Sequence, residues 1–248
     1  MKRIALRIGN FHVICRPSME DTLESIYTSN RTVYDWLMAS GSARILRGRA
    51  PVLVGPVGTE EIVVKHHVHG GLLAPITCDR FVSSARIISG MHAGDYLINH
   101  GIATPDWLFI SWWRQGPWIR CESGVTFVAQ GVDAADRFFG KADRSGASGV
   151  LATARRIGAL VRHLHDIDFL HADANLMNFL CRDSGEIVLL DLDKCRVPSG
   201  PLPEIRKRWN LKRLFRSIRK QGIAHPVDLT ESILSSVREG YRERPCQE

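Results

Sequence analysis

His171-Ala-Asp173-Ala-Asn175-Leu-Met-Asn178 has the pattern H-x-D-x-x-x-x-N, a polar run between two apolar segments. Upstream, residues 150–166 carry Leu151, Ala154, Ile157, Leu160, Val161 and Leu164, with Arg155, Arg156 and Arg162 between them. That spacing predicts an amphipathic helix. Downstream, Glu186-Ile-Val-Leu-Leu190 is a short apolar strand that ends at Asp191-Leu-Asp193, thirteen residues after Asn178. Helix, polar loop, strand and terminal acid follow in that order.

Order and spacing resemble the catalytic loop and metal-binding Asp of the protein-kinase-like superfamily. That set also calls for a Lys on an N-terminal strand, and Ile62-Val-Val-Lys65 supplies one. The chemistry explains the residue types. Phosphoryl transfer needs charge neutralisation and in-line positioning more than covalent steps. The resemblance implies that Asp173 orients the acceptor hydroxyl and takes its proton. Asn178 and Asp191 offer the hard oxygen donors that suit Mg²⁺. Lys65 serves as a point charge at the α- and β-phosphates of ATP. His171 then braces the loop, and Asp193 supports the metal or acceptor site.

Further toward the N-terminus, Pro51-Val-Leu-Val-Gly55 and Glu61-Ile-Val-Val-Lys-His-His-Val68 predict a hairpin across the turn Gly55-Pro-Val-Gly-Thr-Glu60. Residues 1–75 read mainly as strands and turns, and 79–99 as a helix stopping at Asn99-His100-Gly101. Strands follow at 107–114, 118–121 and 124–130, with a Gly/Ser-rich connection at 143–149. The C-terminal part predicts a basic helix over 204–221 and a last helix over 229–241. Strands first and helices later indicate an α+β protein. The kinase resemblance makes this a bilobal fold: one kinase-like domain over 1–248, with an antiparallel N-lobe sheet to about residue 130 and a helical C-lobe from about 131.

More residues match a narrower family. His163-Leu-His165-Asp-Ile-Asp-Phe-Leu-His171-Ala-Asp173-Ala-Asn175-Leu-Met-Asn178 is similar to the H-D-x-G-x-x-H-A-D-L-N-x-x-N segment of bacterial lipopolysaccharide kinases of the Kdo/WaaP type. Leu189-Leu-Asp191-Leu-Asp193 resembles their I-D-F-D, and Gly101-Ile-Ala-Thr-Pro105 their G-L-P-V-P. Asn210-Leu-Lys-Arg213-Leu-Phe-Arg216-Ser217 resembles N-L-x-R-L-x-R-S. The resemblance runs from about residue 41 to 241, and the length is nearer the family's 3-deoxy-D-manno-octulosonic acid (Kdo) kinases than its heptose kinases. It implies ATP- and Mg²⁺-dependent phosphorylation of a sugar hydroxyl on the lipid A-linked inner core, at the cytoplasmic face of the bacterial inner membrane. The backbone at Ala129 and Gly131, in the hinge 128–131, would hold adenine. Gly48 and Arg47, in Gly41-Ser-Ala-Arg44-Ile-Leu-Arg47-Gly48-Arg49, would cover the phosphates. Two departures stand out. Gly90 occupies the place of the family's helix Glu, leaving Asp95 and Asp79 as acidic candidates to pair with Lys65, and the phosphate loop is not G-x-G-x-x-G.

Composition sets outer bounds. Of 248 residues, 44% are apolar and 24% charged, which excludes wholesale disorder. Lys+Arg of 33 against Asp+Glu of 26 leaves +7, with much of it in the 204–221 segment, pointing to an anionic partner such as phosphorylated lipid A or an anionic membrane surface. No nucleic-acid motif accompanies the charge, and no obligate protein partner is inferred. Apolar stretches such as Asp106-Trp-Leu-Phe-Ile-Ser-Trp-Trp113 stop far short of the roughly 20 residues of a spanning helix. Met1-Lys2-Arg3 imitates a signal-peptide start, but Arg7, Asn10 and His12 break the apolar run, so a cytoplasmic, peripheral protein is expected. The six cysteines form no CxxC pair and indicate neither zinc nor a disulfide framework. His66, His67 and His69 read as strand-edge or acceptor-facing residues, and Trp107, Trp112, Trp113 and Trp118 as packing. Two rival functions remain: a protein or small-metabolite kinase of the same superfamily, and a nucleotide-binding pseudokinase acting as a membrane scaffold.

Overall fold

Period-two alternation builds the N-terminal half. Strand β1 (Ile4–Ile8) pairs with β2 (Phe11–Cys15), which buries Phe11, Val13 and Cys15. Then come β3 (Arg44–Leu46), β4 (Val52–Val57), β5 (Glu60–His66), β6 (Trp107–Gln115) and β7 (Trp118–Thr126). The computed structural model describes residues 2–46, 52–68, 79–128, 130–140 and 146–243. Among them these seven strands form one antiparallel sheet in the order β1-β2-β6-β7-β5-β4-β3.

Both sheet faces are covered. On one, Phe11, Val13, Leu53, Ile62, Val64 and Phe109 pack with α1 (Glu20–Thr28) and α2 (Val33–Ser40) through Leu23, Ile26, Tyr27, Val33 and Leu37. On the other, Ile87 and Met91 of α3 (Ala85–Asn99) join Phe81, Trp107, Ile110 and Cys121. Each large side chain buried this way contributes roughly 1.5–3 kcal/mol. Trp107 is buried and Trp112 and Trp113 pack partly against these clusters, while Trp118 is 39% exposed.

By contact, the chain divides into Met1–Asp95 with Pro105–Val128, and Tyr96–Thr104 with Ala129–Glu248. In the second unit, a small antiparallel sheet, β10 (Ile187–Leu189), β9 (Phe179–Cys181) and β8 (Val132–Asp133), accompanies α4 (Ala134–Phe139), α5 (Gly146–Asp166), α6 (Glu204–Gly222) and α7 (Val227–Arg242). Helix α5 buries Val150, Ala154, Ile157, Val161 and Leu164 along its apolar stripe. It meets α7 closely at two glycines. A Cβ on Gly158 would lie 2.1 Å from the Val237 carbonyl oxygen, and one on Gly240 would lie 1.9 Å from that of Arg155. The α+β class and the antiparallel sheet stand as expected, while helices α1, α2 and α3 interrupt the early strands and β9 and β10 follow α5. None of the described helices is long and apolar enough to cross a membrane.

Several boundaries differ from the sequence reading. Residues 1–75 hold α1 and α2 besides strands. These helices have nine and eight residues, too short for a helical period to outweigh the neighbouring strand pattern. Strand β4 runs on through Gly55 and Pro56, and the turn is at Gly58-Thr59. Pro56 is tolerated because β3 pairs with β4 only from Val52 to Val54, so no strand needs a Pro56 N–H on that side. Residues 118–121 and 124–126 belong to one strand, β7, bridged by Glu122 and Ser123. Helix α3 starts at Ala85 rather than 79, because Phe81 first forms a two-bond β-bridge with Ile119. Residues 146–149, read as a connection, are the first turn of α5.

Candidate active site

The loop after α5 is tied down from several sides. His171 is fully buried, and its Nε2–H donates to the Leu190 carbonyl at 2.9 Å, joining the loop to the chain just before Asp191. Asn175 caps the 3₁₀ turn Leu176–Asn178, its side-chain oxygen accepting from Met177 N at 3.0 Å. Asn178 Nδ2 donates to the Asp173 carbonyl at 2.8 Å, and the Asn178 carbonyl accepts from Leu190 N at 2.8 Å. Thus Asp173, Asn178 and Asp191 share one hydrogen-bonded framework. The segment 101–105 supports it, with Ala103 O accepting from Leu189 N and Thr104 Oγ1 donating to Leu189 O, both at 2.8 Å.

Asp191 adopts φ 55°, in the left-handed region. Such a backbone costs about 1–3 kcal/mol and is held where the surroundings over-determine it. The turn that follows, closed by Cys195 N on Leu192 O at 2.8 Å, returns to the loop through Ala172 N and Cys195 Sγ at 3.5 Å. Burial pushes the Cys195 thiol up to about 12. Asp193 lies half-buried within this turn.

Helix α6 clamps the loop with residues spaced i, i+3, i+7, which share one helix face. Asn210 Nδ2 donates to the His171 carbonyl at 2.8 Å. That bond fixes the amide, so Asn210 Oδ1 accepts from His165 Nε2 at 3.0 Å. His165 Nδ1 then accepts from the Tyr241 hydroxyl at 2.8 Å. Arg213 donates to the Ala172 carbonyl, and its Nε lies 3.7 Å from Asp173 Oδ1. Ser217 Oγ accepts from Leu176 N at 3.1 Å. The sequence displays these residues only as a motif; their spacing is the signal that they act together.

Burial lowers both His165 and His171 below the ordinary value near 6.5. The folded protein therefore holds them neutral, while the unfolded chain takes up protons below about 6.5. Their stabilising contribution is present above that pH and lost as pH falls through the depressed folded values. The urea midpoint is expected to fall from about pH 7.5 to 5.5, and His165→Gln, which does not titrate, should flatten that dependence.

Lys65 lies on β5, opposite Val52 on one side and Ser123 on the other. Ile62 and Val64 face the α1–α2 core, so alternation puts Lys65 on the α3 side of the sheet. Gly90 is buried within α3. The acidic candidates are both engaged: Asp95 accepts from Arg3 Nε at 2.8 Å, and Asp79 lies 3.0 Å from Arg120 Nε. Gly131 is crowded, since a Cβ there would approach Leu180 Cγ at 3.0 Å and the Cys181 carbonyl at 3.1 Å. Arg47, Gly48, Ala129 and His69 lie outside the described residues. His67 Nε2 bonds Ser123 Oγ at 2.8 Å, and His66 stacks on Tyr34 with ring centroids 4.5 Å apart. Among the described residues no three His, Cys, Asp or Glu side chains form a metal-binding group.

Sequence reasoning missed Glu122. It is fully buried one residue before Ser123, the cross-strand neighbour of Lys65. Oε1 accepts from the Tyr27 hydroxyl at 2.7 Å, Val33 N at 3.0 Å and Ser111 Oγ at 3.3 Å, and Oε2 from Tyr34 N at 3.2 Å.

A family model described as the lipopolysaccharide kinase (Kdo/WaaP) family matches residues 55–240. Among curated relatives, a 3-deoxy-D-manno-octulosonic acid kinase of Actinobacillus succinogenes is 36% identical over 91 residues, 36% of this chain and 37% of the relative. One of Vibrio cholerae is 40% identical over 67 residues, 27% of each chain. A protein of the same description from Photobacterium damsela is 24% identical over 173 residues, 65% of this chain and 66% of the relative. The chain thus spans little more than a third of the length of the first relative and about a quarter of the second.

Proposed function

The chain belongs to the lipopolysaccharide kinase (Kdo/WaaP) family, and on that premise we propose that it transfers the γ-phosphoryl group of ATP to a sugar hydroxyl, on Kdo or heptose, of the lipopolysaccharide inner core. The observation that carries this reading is the braced loop. Asp173 is held half-buried while Asn178 and Asp191 are tied to the same framework by the Asn178–Asp173 and Leu190–Asn178 bonds.

In this reading the acceptor oxygen bonds to the γ-phosphorus as the bond from phosphorus to the bridging oxygen breaks. ADP leaves, and the hydroxyl proton passes to Asp173. Asn178 commits its amide nitrogen to the Asp173 carbonyl, which leaves Oδ1 to face a cation. Together with the Asp191 carboxylate, this fits Mg²⁺, which takes one or two protein oxygens beside phosphate and water. Bound there, the ion would neutralise charge on the phosphate oxygens. In the same reading Lys65 would add a cation for the α- and β-phosphates. As expected from the sequence alone, Arg47 and Gly48 would cover the phosphates and the backbone at Ala129 and Gly131 would receive adenine. His171 and Asp193 are supporting residues. Residues to about 130 form the N-lobe and those from about 131 the C-lobe of one kinase-like domain. The basic face of α6 supports peripheral contact with the anionic cytoplasmic face of the inner membrane.

Purified protein with Mg²⁺-ATP and Kdo–lipid A should yield ADP and a phosphosugar identified by mass spectrometry. Binding of ATP without transfer to any core saccharide would sink the acceptor claim. The scaffold reading draws its support from Gly90, which stands where the family has its helix Glu.

A further inference from the structure

Beyond its clamp residues, α6 presents a second row. Arg206, Trp209, Arg213 and Arg216 recur at i, i+3, i+7 and i+10 and share one helix face. With Lys212 and Ala172 they line a pocket of about 580 Å³. Four cationic side chains from one helix converge on it. Neighbouring Lys207 is matched by Glu204 at 2.9 Å, whereas Arg206, Lys212 and Arg216 have no carboxylate partner among the described residues. Like charges at helical spacing repel, so this row is stabilised when an anion sits among them. Trp209 is 69% exposed, unusual for so large a ring. The pocket also reaches the loop, since Ala172 lines it and Arg213 Nε is 3.7 Å from Asp173 Oδ1.

We propose that this pocket is the acceptor-recognition subsite: a sugar acid places its carboxylate among Arg206, Arg213 and Arg216, lays its ring against Trp209, and so presents a hydroxyl to Asp173. The assignment rests on the kinase reading of Asp173. Guanidinium groups suit a carboxylate because two parallel N–H donors match its two oxygens. An indole face suits the apolar face of a sugar ring. A neutral heptose brings no carboxylate to these arginines, so the pocket selects the acidic sugar.

Calorimetric titration of the full chain with free 3-deoxy-D-manno-octulosonate, its methyl ester and inorganic phosphate tests this without turnover. The acid should bind, and the ester about tenfold or more weaker, as expected for loss of a charged hydrogen bond. Arg206→Gln with Arg216→Gln should weaken the acid to a similar extent and leave the ester unchanged, with an unaltered urea midpoint. No binding, equal binding of acid and ester, displacement of the acid by phosphate at comparable affinity, or wild-type affinity in the double variant would each overturn the assignment. Transfer to Kdo–lipid A separates the two layers. Acid binding that fails in the double variant, without transfer by wild type, keeps the pocket and removes the kinase reading. Transfer with an unchanged acceptor KM in the double variant does the reverse. The expected result is a raised acceptor KM with the ATP KM unchanged.

Discussion

Asp173→Asn is expected to lower phosphoryl transfer by about 10²–10⁴-fold, the usual worth of a positioned general base, without moving the urea unfolding midpoint. The structure separates the two readouts. The framework uses the backbone of Asp173, whose carbonyl accepts from Asn178 Nδ2 at 2.8 Å, and substitution leaves that bond in place. The side chain makes a looser contact, 3.7 Å from Arg213 Nε, and Arg213 keeps its bond to the Ala172 carbonyl. Asparagine matches the shape but cannot accept the acceptor's proton at neutral pH. The loss should therefore appear in kcat, with the KM for ATP little changed. A variant that transfers phosphate, or complements a deletion strain, as well as wild type would leave the scaffold reading standing.

How legible the site was depended on distance along the chain. The run from His171 to Asn178 was readable because its chemistry is local: Asn175 caps a turn two residues away and Asn178 reaches back five. The stripe on α5 was readable because a long helix repeats its pattern. The clamp was visible only as a motif. Its meaning needs Asn210 to meet His165 and His171, 45 and 39 residues away in sequence. Two short helices escaped because nine and eight residues hold too little periodicity. The break read into β7 at Glu122-Ser123 has the same origin, since a charged residue in a strand signals a surface or an end unless its buried partners are known.

Glu122 accordingly carries the largest expected effect on stability. Glu122→Ala should cost about 3–5 kcal/mol, because each buried donor left without an acceptor costs about 1–3 kcal/mol and several are left at once. The Tyr27 hydroxyl and the Val33 amide both converge on Oε1, and both belong to the packed interface of α1 and α2 with the sheet. Tyr27 stays a donor, since burial first and the charge of Glu122 second raise its pKa well above 10. The amides of Val33 and Tyr34 are in the first turn of α2, where the helix dipole favours a carboxylate. His66 adds a nitrogen 3.4 Å from Oε2. Glu122→Gln keeps one acceptor oxygen but turns the other atom into a donor facing an N–H group, so an intermediate loss is expected. Urea titration reads both variants. Because Ser123 is the cross-strand neighbour of Lys65, loosening β7 should also lower transfer below what the unfolded fraction explains. If Glu122→Ala unfolds at the wild-type midpoint, the carboxylate is not what anchors α2 to the sheet.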